Sequence, residues 1–409
     1  MSARVLLLSS VGWPSVARLA AGFAHVSCTV DALAPAGAAI IASRYLSGWH
    51  RYNPLAPRAS LKNAIAVSRP DLLVCCDDRA LASLLSFYEM EDGTGSIGEL
   101  VRRSLGNPGA IPRLICRNGF IAEASDEGIR VPETLAISER RELDEAIAAL
   151  GFPLVLKSDG SWGGEGVVIA GNAREAEAGY QRLSRAPSLL RGIARATKRR
   201  DVHFAREAMT RKTRRVSAQK FVAGTQAATA FAAWRGDVVG AICYDVLVAD
   251  GAIGPPNVIR RVDCPQLESA TLKIARRFGL SGIHGLDFIR AADGAAHLIE
   301  INPRATQGST LAFGPGRDLP AALASCLVPN AGMRPAVPND IVAIFPREWR
   351  RDPLSRFLAS GYHDVPWDDP GVLLASLGLK PRGRSLRTTF PLGEIRKSQA
   401  RQREIFGEG

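Results

Sequence analysis

The sequence lacks a long uncharged run. The longest stretch without Asp, Glu, Lys or Arg spans residues 319–333, and Pro320 and Pro329 interrupt its 15 residues. A membrane-spanning helix needs about 20 consecutive apolar residues. At the N-terminus only four apolar residues, 5–8, follow Arg4, which is typical of a strand rather than of a secretory leader. We therefore expect no membrane span and a cytoplasmic protein.

Cysteine is scarce, and the cysteine spacing shows no pairing motif. The chain has seven cysteines, an odd number, and no CxxC pair among them. Neither a disulfide framework nor a zinc knuckle is therefore expected, and a reducing compartment fits best. The sequence also shows no convincing Ser/His/Asp or Cys/His set, and the Cys75–Cys76 pair lies in a predicted buried strand, where packing is the simpler interpretation.

Acidic residues are nearly missing from one segment. Between Arg182 and Lys220 there are 13 basic residues and two acidic ones, whereas the whole chain carries a net charge of +12. The basicity is thus local, and two interpretations stay open: a funnel for an anionic substrate, or a solvated loop. Only one aromatic residue, Phe204, interrupts the run. Stacking on single-stranded nucleic acid is therefore not favoured, and nucleic acid is the weaker partner.

The sequence contains enough apolar residues for two or three domains, since 46% of the 409 residues are hydrophobic. Residues 1–110 alternate short apolar runs with helical patterns, which predicts a βαβ domain. Ser9–Gly12 and Asp77–Asp78 follow two of its predicted strands, where α/β sheets bind ligands. The alternative, rated equally, is that Asp77–Asp78 only caps the next helix.

Further along, the pattern predicts a helix with Ser138 as its N-cap, a strand over 152–157 and a returning strand over 167–170. The connecting segment, Ser158–Gly166, is rich in glycine, and Lys157 precedes it. Its backbone N–H groups suit phosphate oxygens because glycine permits close approach. Taken alone, a plain glycine-rich turn is the simpler interpretation.

A second pattern joins two predicted strands across the turn at Asp293-Gly294. Glu300 and Asn302 are two residues apart and so face the same side of the sheet, where Asp287 of the neighbouring strand can join them. Two carboxylates and an amide oxygen form a set of hard oxygen donors suited to Mg²⁺. Arg304 would extend a guanidinium over the same face.

In order along residues 115–312, these pieces resemble the ATP-grasp superfamily. The resemblance is carried by FPLVLK at 152–157 with its glycine hairpin, QKFVAG at 219–224, GLDF at 285–288 and EINPR at 300–304. It implies an α/β protein in which a Rossmann-like N-terminal domain precedes a two-lobed ATP-grasp fold.

The resemblance also implies roles for individual residues. Asp287, Glu300 and Asn302 would hold one or two Mg²⁺ ions, with Mn²⁺ as an alternative, and Arg304 and Lys157 would be catalytic. ATP would contact residues of the small lobe and the hinge: Arg117, Lys157, Ser161, Gly163, Gly164, Gly166, Gln219, Lys220, Phe221, Val222 and Gln226. Arg117 stands where the family usually has a lysine, and Gln226 where it usually has an acidic residue.

The implied reaction joins a carboxylate to an amine through an acylphosphate, with small-molecule substrates that the basic segment would favour if they are anionic. One alternative is an ATP-grasp carboxylase or carbamoyl-phosphate-synthase-like enzyme. The other is a non-catalytic nucleotide-dependent binding module that uses its basic segment. The chain has no MKM biotinylation motif.

The predicted organisation has four parts. These are an N-terminal domain (1–110), a small lobe (111–220) with a basic insertion at about 184–215, a large lobe (221–340) and a C-terminal extension (341–409). For the extension a lid, a homodimer contact and a packed segment are the alternatives, of which the last is favoured.

Overall fold

A computed structural model describes residues 2–91, 93–159, 166–185, 215–329 and 331–379. The N-terminal part is a parallel four-stranded sheet in the order β3-β2-β1-β4. Its strands are β1 Arg4–Leu8, β2 Thr29–Ala34, β3 Gly48–Arg51 and β4 Leu72–Cys75, and its helices are α1 Pro14–His25, α2 Pro57–Ser68, α3 Asp78–Met90 and α4 Gly95–Leu105. Every residue of β4 is buried, as expected for a strand covered on both faces.

The second unit is a small antiparallel sheet in the order β5-β8-β6-β7. Helices α5 Ile111–Ile115 and α6 Arg117–Asp126 precede it. It comprises β5 Thr134–Ile137, α7 Arg140–Leu150, β6 Leu154–Ser158, β7 Val167–Ala170, α8 Ala173–Ser184 and β8 Val216–Lys220. The prediction of Ser138 as N-cap is wrong by one residue, because Glu139 caps α7 in a reciprocal capping box with Glu142.

The third unit is a seven-stranded sheet in the order β13-β12-β9-β10-β11-β14-β15. Its strands are β9 Thr225–Trp234, β10 Asp237–Ala249, β11 Pro256–Arg261, β12 Gly282–Arg290, β13 Ala296–Asn302, β14 Ile341–Ala343 and β15 Tyr362–His363. Its helices are α9 Pro265–Phe278, α10 Leu319–Leu327, α11 Arg347–Arg351, α12 Phe357–Ser360 and α13 Pro370–Ser376. The predicted pairing of β12 with β13 across the turn at Asp293-Gly294 is confirmed, and β9 and β10 form a second antiparallel hairpin.

Two of the hydrophobic cores join the N-terminal sheet to the large sheet. One packs Leu6 and Leu8 with Phe231 and Phe288, and the other packs Val5 and Leu7 with residues of β9. The small sheet has a core of its own, which includes Leu143, Leu156 and Ala218. The small sheet is therefore the element that packs apart from the rest.

The C-terminal segment 331–379 is packed against the other units. Strands β14 and β15 extend the large sheet, the Arg18 guanidinium donates to Asp364, and the Ser43 hydroxyl donates to Asp369 at 2.5 Å. The favoured packed extension thus describes this segment, whereas residues 380–409 lie outside the described residues.

Buried His363 predicts an acid-sensitive fold. Burial lowers the pKa of His363 to about 4, against the opposing charge of Glu348. Between pH 6.5 and 4 the unfolded chain binds the additional proton, so stability falls as pH falls. We expect His363→Leu to reduce the loss of unfolding free energy between pH 7.5 and 5.0 by about 2 kcal/mol.

Urea titrations of both proteins at the two pH values measure this difference. Comparing the variant with wild type isolates His363 from His284, whose pKa burial also lowers to about 4. Equal pH dependence in the two proteins would contradict the assignment.

Among the described residues, no helix is both long and apolar enough to cross a bilayer.

Candidate active site

Strand register brings the three predicted metal ligands together. Asp287 of β12 lies directly opposite Glu300 of β13, and Gly285 lies opposite Asn302. Side chains of directly opposed residues project from the same face. The Asn302 amide Nδ2 donates to Asp287 Oδ2 at 2.8 Å. We call these three side chains, Asp287, Glu300 and Asn302, the ledge.

The ledge concentrates negative charge. Burial and, after it, the charge of the neighbouring Glu300 raise the pKa of Asp287 to about 6, although the Asn302 hydrogen bond and the charges of Arg304 and Lys157 oppose the rise. A carboxylate with this environment gains from a nearby cation. Among the described residues no three His, Cys, Asp or Glu side chains converge as metal donors, so a metal here would take two carboxylates and one amide oxygen.

Lys157 reaches the ledge from the small sheet. It is the second-to-last residue of β6 and is 6% exposed. Its Nζ donates to the carbonyl of Ile299 at 3.2 Å. Burial lowers the pKa of Lys157 to about 8, against the attraction of Glu300. The ammonium therefore stays largely protonated at neutral pH and provides a positive charge beside the ledge.

Arg117 connects the small sheet to the ledge as well. It begins α6, its Nη2 pairs with Glu300 Oε1 at 3.0 Å, and its Nη1 donates to the carbonyl of Ser158. Its backbone N–H donates to Asp159 Oδ1 at 3.3 Å. This predicted nucleotide contact thus lies against a predicted metal ligand and the start of the glycine-rich segment.

Arg304 joins the ledge to the N-terminal sheet. Its Nη2 donates to Asn302 Oδ1 at 3.0 Å and its Nε donates to Asp78 Oδ2 at 2.9 Å. Its guanidinium lies 5.5 Å from the ring centroid of Trp13, which is 41% exposed. This cation–π contact places a solvent-exposed indole ring next to Arg304 and so near the ledge.

The two aspartates that follow β4, Asp77 and Asp78, make different contacts. Asp77 caps α3 by accepting from the Ala80 N–H, and it also accepts from the Ser10 N–H and hydroxyl. Asp78 instead binds Arg304. The capping interpretation therefore holds for Asp77, whereas the substrate-crevice interpretation stays a prediction for Asp78.

The predicted hinge lies between the small and large sheets. Gln219 is buried and donates to Thr134 Oγ1 at 3.0 Å, Lys220 is exposed, and Phe221 and Val222 are half-buried. Gln226 is the second residue of β9, and its Nε2 donates to the carbonyl of Ala252 at 2.6 Å. The backbone at Gly224 lies against the end of β12, because a Cβ at Gly224 would lie 2.1 Å from the Arg290 carbonyl oxygen.

Part of the glycine-rich segment is outside the described residues, namely Ser161, Gly163 and Gly164, as is most of the basic insertion. Gly166 is described and buried, and its carbonyl accepts from the Ser158 N–H at 2.9 Å.

Tyr244 is a site residue that the sequence did not reveal. Tyr244 and Asp287 both pair with Ala228, from opposite sides of β9, so the phenol shares the face of the ledge. Burial raises the pKa of Tyr244, and its hydroxyl bonds to Thr306. A Cβ at Gly308 would lie 2.6 Å from the Tyr244 ring, so this glycine permits the packing. The position of Tyr244 beside the ledge was not predictable, because a tyrosine within an apolar strand shows no sequence pattern that indicates it.

His284, which precedes the strand residue Asp287 by three positions, is a buried structural residue. It is 1% exposed, its Nε2 bonds to the Ser281 carbonyl at 2.8 Å, and its ring lies 5.3 Å from that of Phe231. Cys75 and Cys76 are buried in the two cores that flank the N-terminal sheet, as the packing interpretation expected.

No protein-family model matches the chain, and no curated protein matches it. Solved structures do. N5-carboxyaminoimidazole synthetase from Staphylococcus aureus, complexed with ADP, is 13% identical with a TM-score of 0.57, covering 82% of this chain and 79% of its own.

A second similar structure is the biotin carboxylase domain of Hydrogenobacter thermophilus 2-oxoglutarate carboxylase, complexed with MgADP, ADP and bicarbonate. It is 15% identical with a TM-score of 0.57, covering 80% of this chain and 70% of its own. A third, N5-carboxyaminoimidazole synthase from Aspergillus clavatus with ADP and 5-aminoimidazole ribonucleotide, is 15% identical with a TM-score of 0.55, covering 81% and 79%.

At these identities the likeness concerns the fold. The α/β organisation predicted from the sequence, a Rossmann-like domain followed by two lobes, is confirmed over about four fifths of the chain. The chain has the fold of the ATP-grasp superfamily.

Proposed function

We propose that the protein is an ATP- and Mg²⁺-dependent ligase that joins a carboxylate to an amine through an acylphosphate. The observation that carries the proposal is the convergence at the ledge, where Asp287 and Glu300 of the large sheet face Lys157 and Arg117. Negative charge on one lobe and positive charge on the other suit a metal–polyphosphate complex held between them.

In this proposal the lobes hold ATP from two sides. Lys157 and Arg117 bind phosphate oxygens, and the glycine-rich segment closes over them through Ser161, Gly163, Gly164 and Gly166. Gln219 supports the hinge, whose backbone at Lys220, Phe221 and Val222 binds adenine, and Gln226 lies toward the ribose. The position of these residues at the end of β8, at the start of β9 and in the connection between them supports the assignment.

The donor set at the ledge fits Mg²⁺ by its chemistry. Asp287, Glu300 and Asn302 offer oxygens only, and the raised pKa of Asp287 indicates a carboxylate that gains from a cation. Once bound with ATP, the ion would neutralise the charge of the transferring phosphoryl group.

The chain's own residues position the reactants. A carboxylate oxygen of the substrate attacks the γ-phosphorus, the bond between this phosphorus and the β,γ-bridging oxygen breaks, and ADP leaves. The amine nitrogen then attacks the acyl carbon, inorganic phosphate leaves with the carbon–oxygen electron pair, and the nitrogen loses a proton. Arg304, held by Asp78 and Asn302, orients the phosphoryl oxygens and the incoming carboxylate.

A second candidate is an ATP-dependent carboxylase, in which bicarbonate takes the place of the organic carboxylate. The observation that favours it is the similar Hydrogenobacter biotin carboxylase domain, which holds MgADP and bicarbonate together. The same domain forms a dimer, which supports the homodimer that the sequence left open as an alternative here.

ADP release with Mg²⁺ and ATP across a matrix of carboxylates, bicarbonate and amines tests the proposal. Added hydroxylamine captures an acylphosphate as a hydroxamate. A ligase gives carboxylate-dependent ADP and hydroxamate, whereas a carboxylase gives bicarbonate-dependent ADP. Tight ADP binding without ADP release under any combination would indicate the non-catalytic binding module instead.

Arg117 provides a quantitative prediction. Loss of a guanidinium that binds phosphate removes a charge-assisted hydrogen bond, so Arg117→Ala is expected to raise the KM for ATP about 10- to 100-fold. Arg117→Lys retains the charge and is expected to recover part of the loss. Steady-state kinetics with varied ATP measure both, and an unchanged KM in Arg117→Ala would contradict the phosphate contact.

A further inference from the structure

A cavity lies where the N-terminal domain packs against the large sheet. Its volume is about 560 Å³, it is open to solvent, and residues of α4, the β9–β10 turn and the end of α9 line it. The β9–β10 turn is fixed here by Ser281, whose Oγ accepts from the Arg235 N–H at 2.8 Å. Asp287 lies six residues further along β12, about 20 Å away at ~3.3 Å per residue. The cavity is therefore separate from the candidate active site.

The floor of the cavity is main chain in close contact. A Cβ at Gly106 would lie 1.9 Å from the carbonyl oxygen of Gly279, so the two segments cross with no room for side chains. The Asn107 N–H donates to that carbonyl at 3.0 Å, and the Ser281 N–H donates to the carbonyl of Leu105 at 3.0 Å. These bonds fix α4 against the large sheet and give the cavity a rigid base.

The lining carries excess positive charge. It contains Arg102, Arg103 and Arg235 but a single acidic side chain, Glu99. Arg102 donates through Nη1 to the carbonyl of Gly93 and to Tyr88 Oη, and Arg103 donates to a carbonyl at 3.4 Å. Within the described residues, none of the three arginines has a carboxylate partner.

The end of α4 explains only two of these arginines. Cations near a helix C-terminus are stabilised by the helix dipole, which accounts for Arg102 and Arg103 in the last turn. Arg235 belongs to no helix, and its side chain makes no hydrogen bond or ion pair with any described residue. Arg235 is exposed at the rim of the cavity, so its guanidinium is accessible to a ligand from solvent.

Arg235 also has a disfavoured backbone conformation. Its φ is +53°, and Gly236 follows with a φ of +91°. Two-residue hairpin turns of this kind favour Asn, Asp or Gly at both positions, since a longer L side chain is strained there. A charged residue kept in a strained conformation at the rim of a cavity points to a function for its side chain.

We propose that this cavity binds a small phosphorylated molecule, independently of the proposed ATP site. Guanidinium groups pair with phosphate oxygens through parallel N–H bonds, and three of them, from two elements, line this cavity. The volume lies in the range of small-molecule sites and exceeds what a bare phosphate fills. The Glu99 carboxylate then accepts from a hydroxyl or amino group of the same molecule.

Calorimetric titration with pyrophosphate in EDTA tests the proposal on the full chain. The main variant is Arg235→Gly, because glycine tolerates the positive φ and the fold should be kept. Arg103→Ala is the second variant, and Arg141→Ala, which removes an exposed arginine from the small sheet's helix α7, is the charge-matched control. Lys157→Ala identifies pyrophosphate bound at the proposed ATP site.

We expect two classes of pyrophosphate site in the wild type. Arg235→Gly and Arg103→Ala should each weaken one class at least about tenfold, while Arg141→Ala weakens neither and Lys157→Ala weakens only the other. Absence of pyrophosphate binding from the wild type, or a site unaffected by both cavity variants, would overturn the proposal. Loss of the Lys157-dependent class alone concerns the proposed function and not this cavity.

Discussion

Replacing Glu300 by glutamine is expected to lower ADP release at least about 100-fold. Glu300 is opposite Asp287, accepts from Arg117 and lies beside Lys157, so it contacts both the proposed metal position and the phosphate-binding cations. Glutamine keeps the size of the side chain but removes its charge. Removing one electrostatic contribution to a transition state costs roughly 10²–10³ in rate.

The control for Glu300→Gln is Asp293→Asn in the turn of the same hairpin. Asp293 is exposed, and its Oδ1 accepts from the Ala295 N–H, which asparagine can also do. We expect wild-type ADP release from this control and unchanged thermal unfolding of both variants. Turnover that survives Glu300→Gln would contradict the assignment of the ledge.

Replacing Arg334 by methionine is expected to destabilise the fold by about 3–5 kcal/mol. Arg334 makes a bidentate pair with Asp318, at 2.9 and 2.7 Å, and donates to the carbonyls of Thr310 and Leu311. Asp318 is 5% exposed and also caps α10. Methionine fills much of the space but leaves a buried carboxylate without its cation.

The double variant Arg334→Met with Asp318→Asn separates charge from packing. Asparagine retains the capping oxygen and removes the uncompensated charge, so the double variant should be more stable than Arg334→Met alone. Urea-induced unfolding measures all three proteins. A single variant within about 1 kcal/mol of wild type would show that the pair contributes little.

The ledge was predictable because a local rule fixes it. Glu300 and Asn302 share a face by the two-residue period of a strand, and the short turn at Asp293-Gly294 leaves little freedom in the pairing of β12 with β13. The helix Pro265–Phe278 was predictable for a similar reason, since a proline begins it and a glycine with positive φ follows it.

Contacts between distant segments were not predictable in the same way. The pairing of Arg304 with Asp78 and the contact with Trp13 depend on how the N-terminal sheet docks on the large sheet. The sequence pattern does not predict strands β3 and β15 either. Each is short and lies at the edge of its sheet, where the neighbour's unpaired backbone groups rather than a hydrophobic pattern select the segment.

The central claim is that the ledge binds a divalent cation together with nucleotide. Electron paramagnetic resonance of Mn²⁺, titrated in the presence of ADP, measures this binding directly in the wild type and in Asp287→Asn with Glu300→Gln. The account predicts an ADP-dependent Mn²⁺ site in the wild type that is lost in the folded double variant. Equal Mn²⁺ binding by both proteins, or none by the wild type, would contradict it.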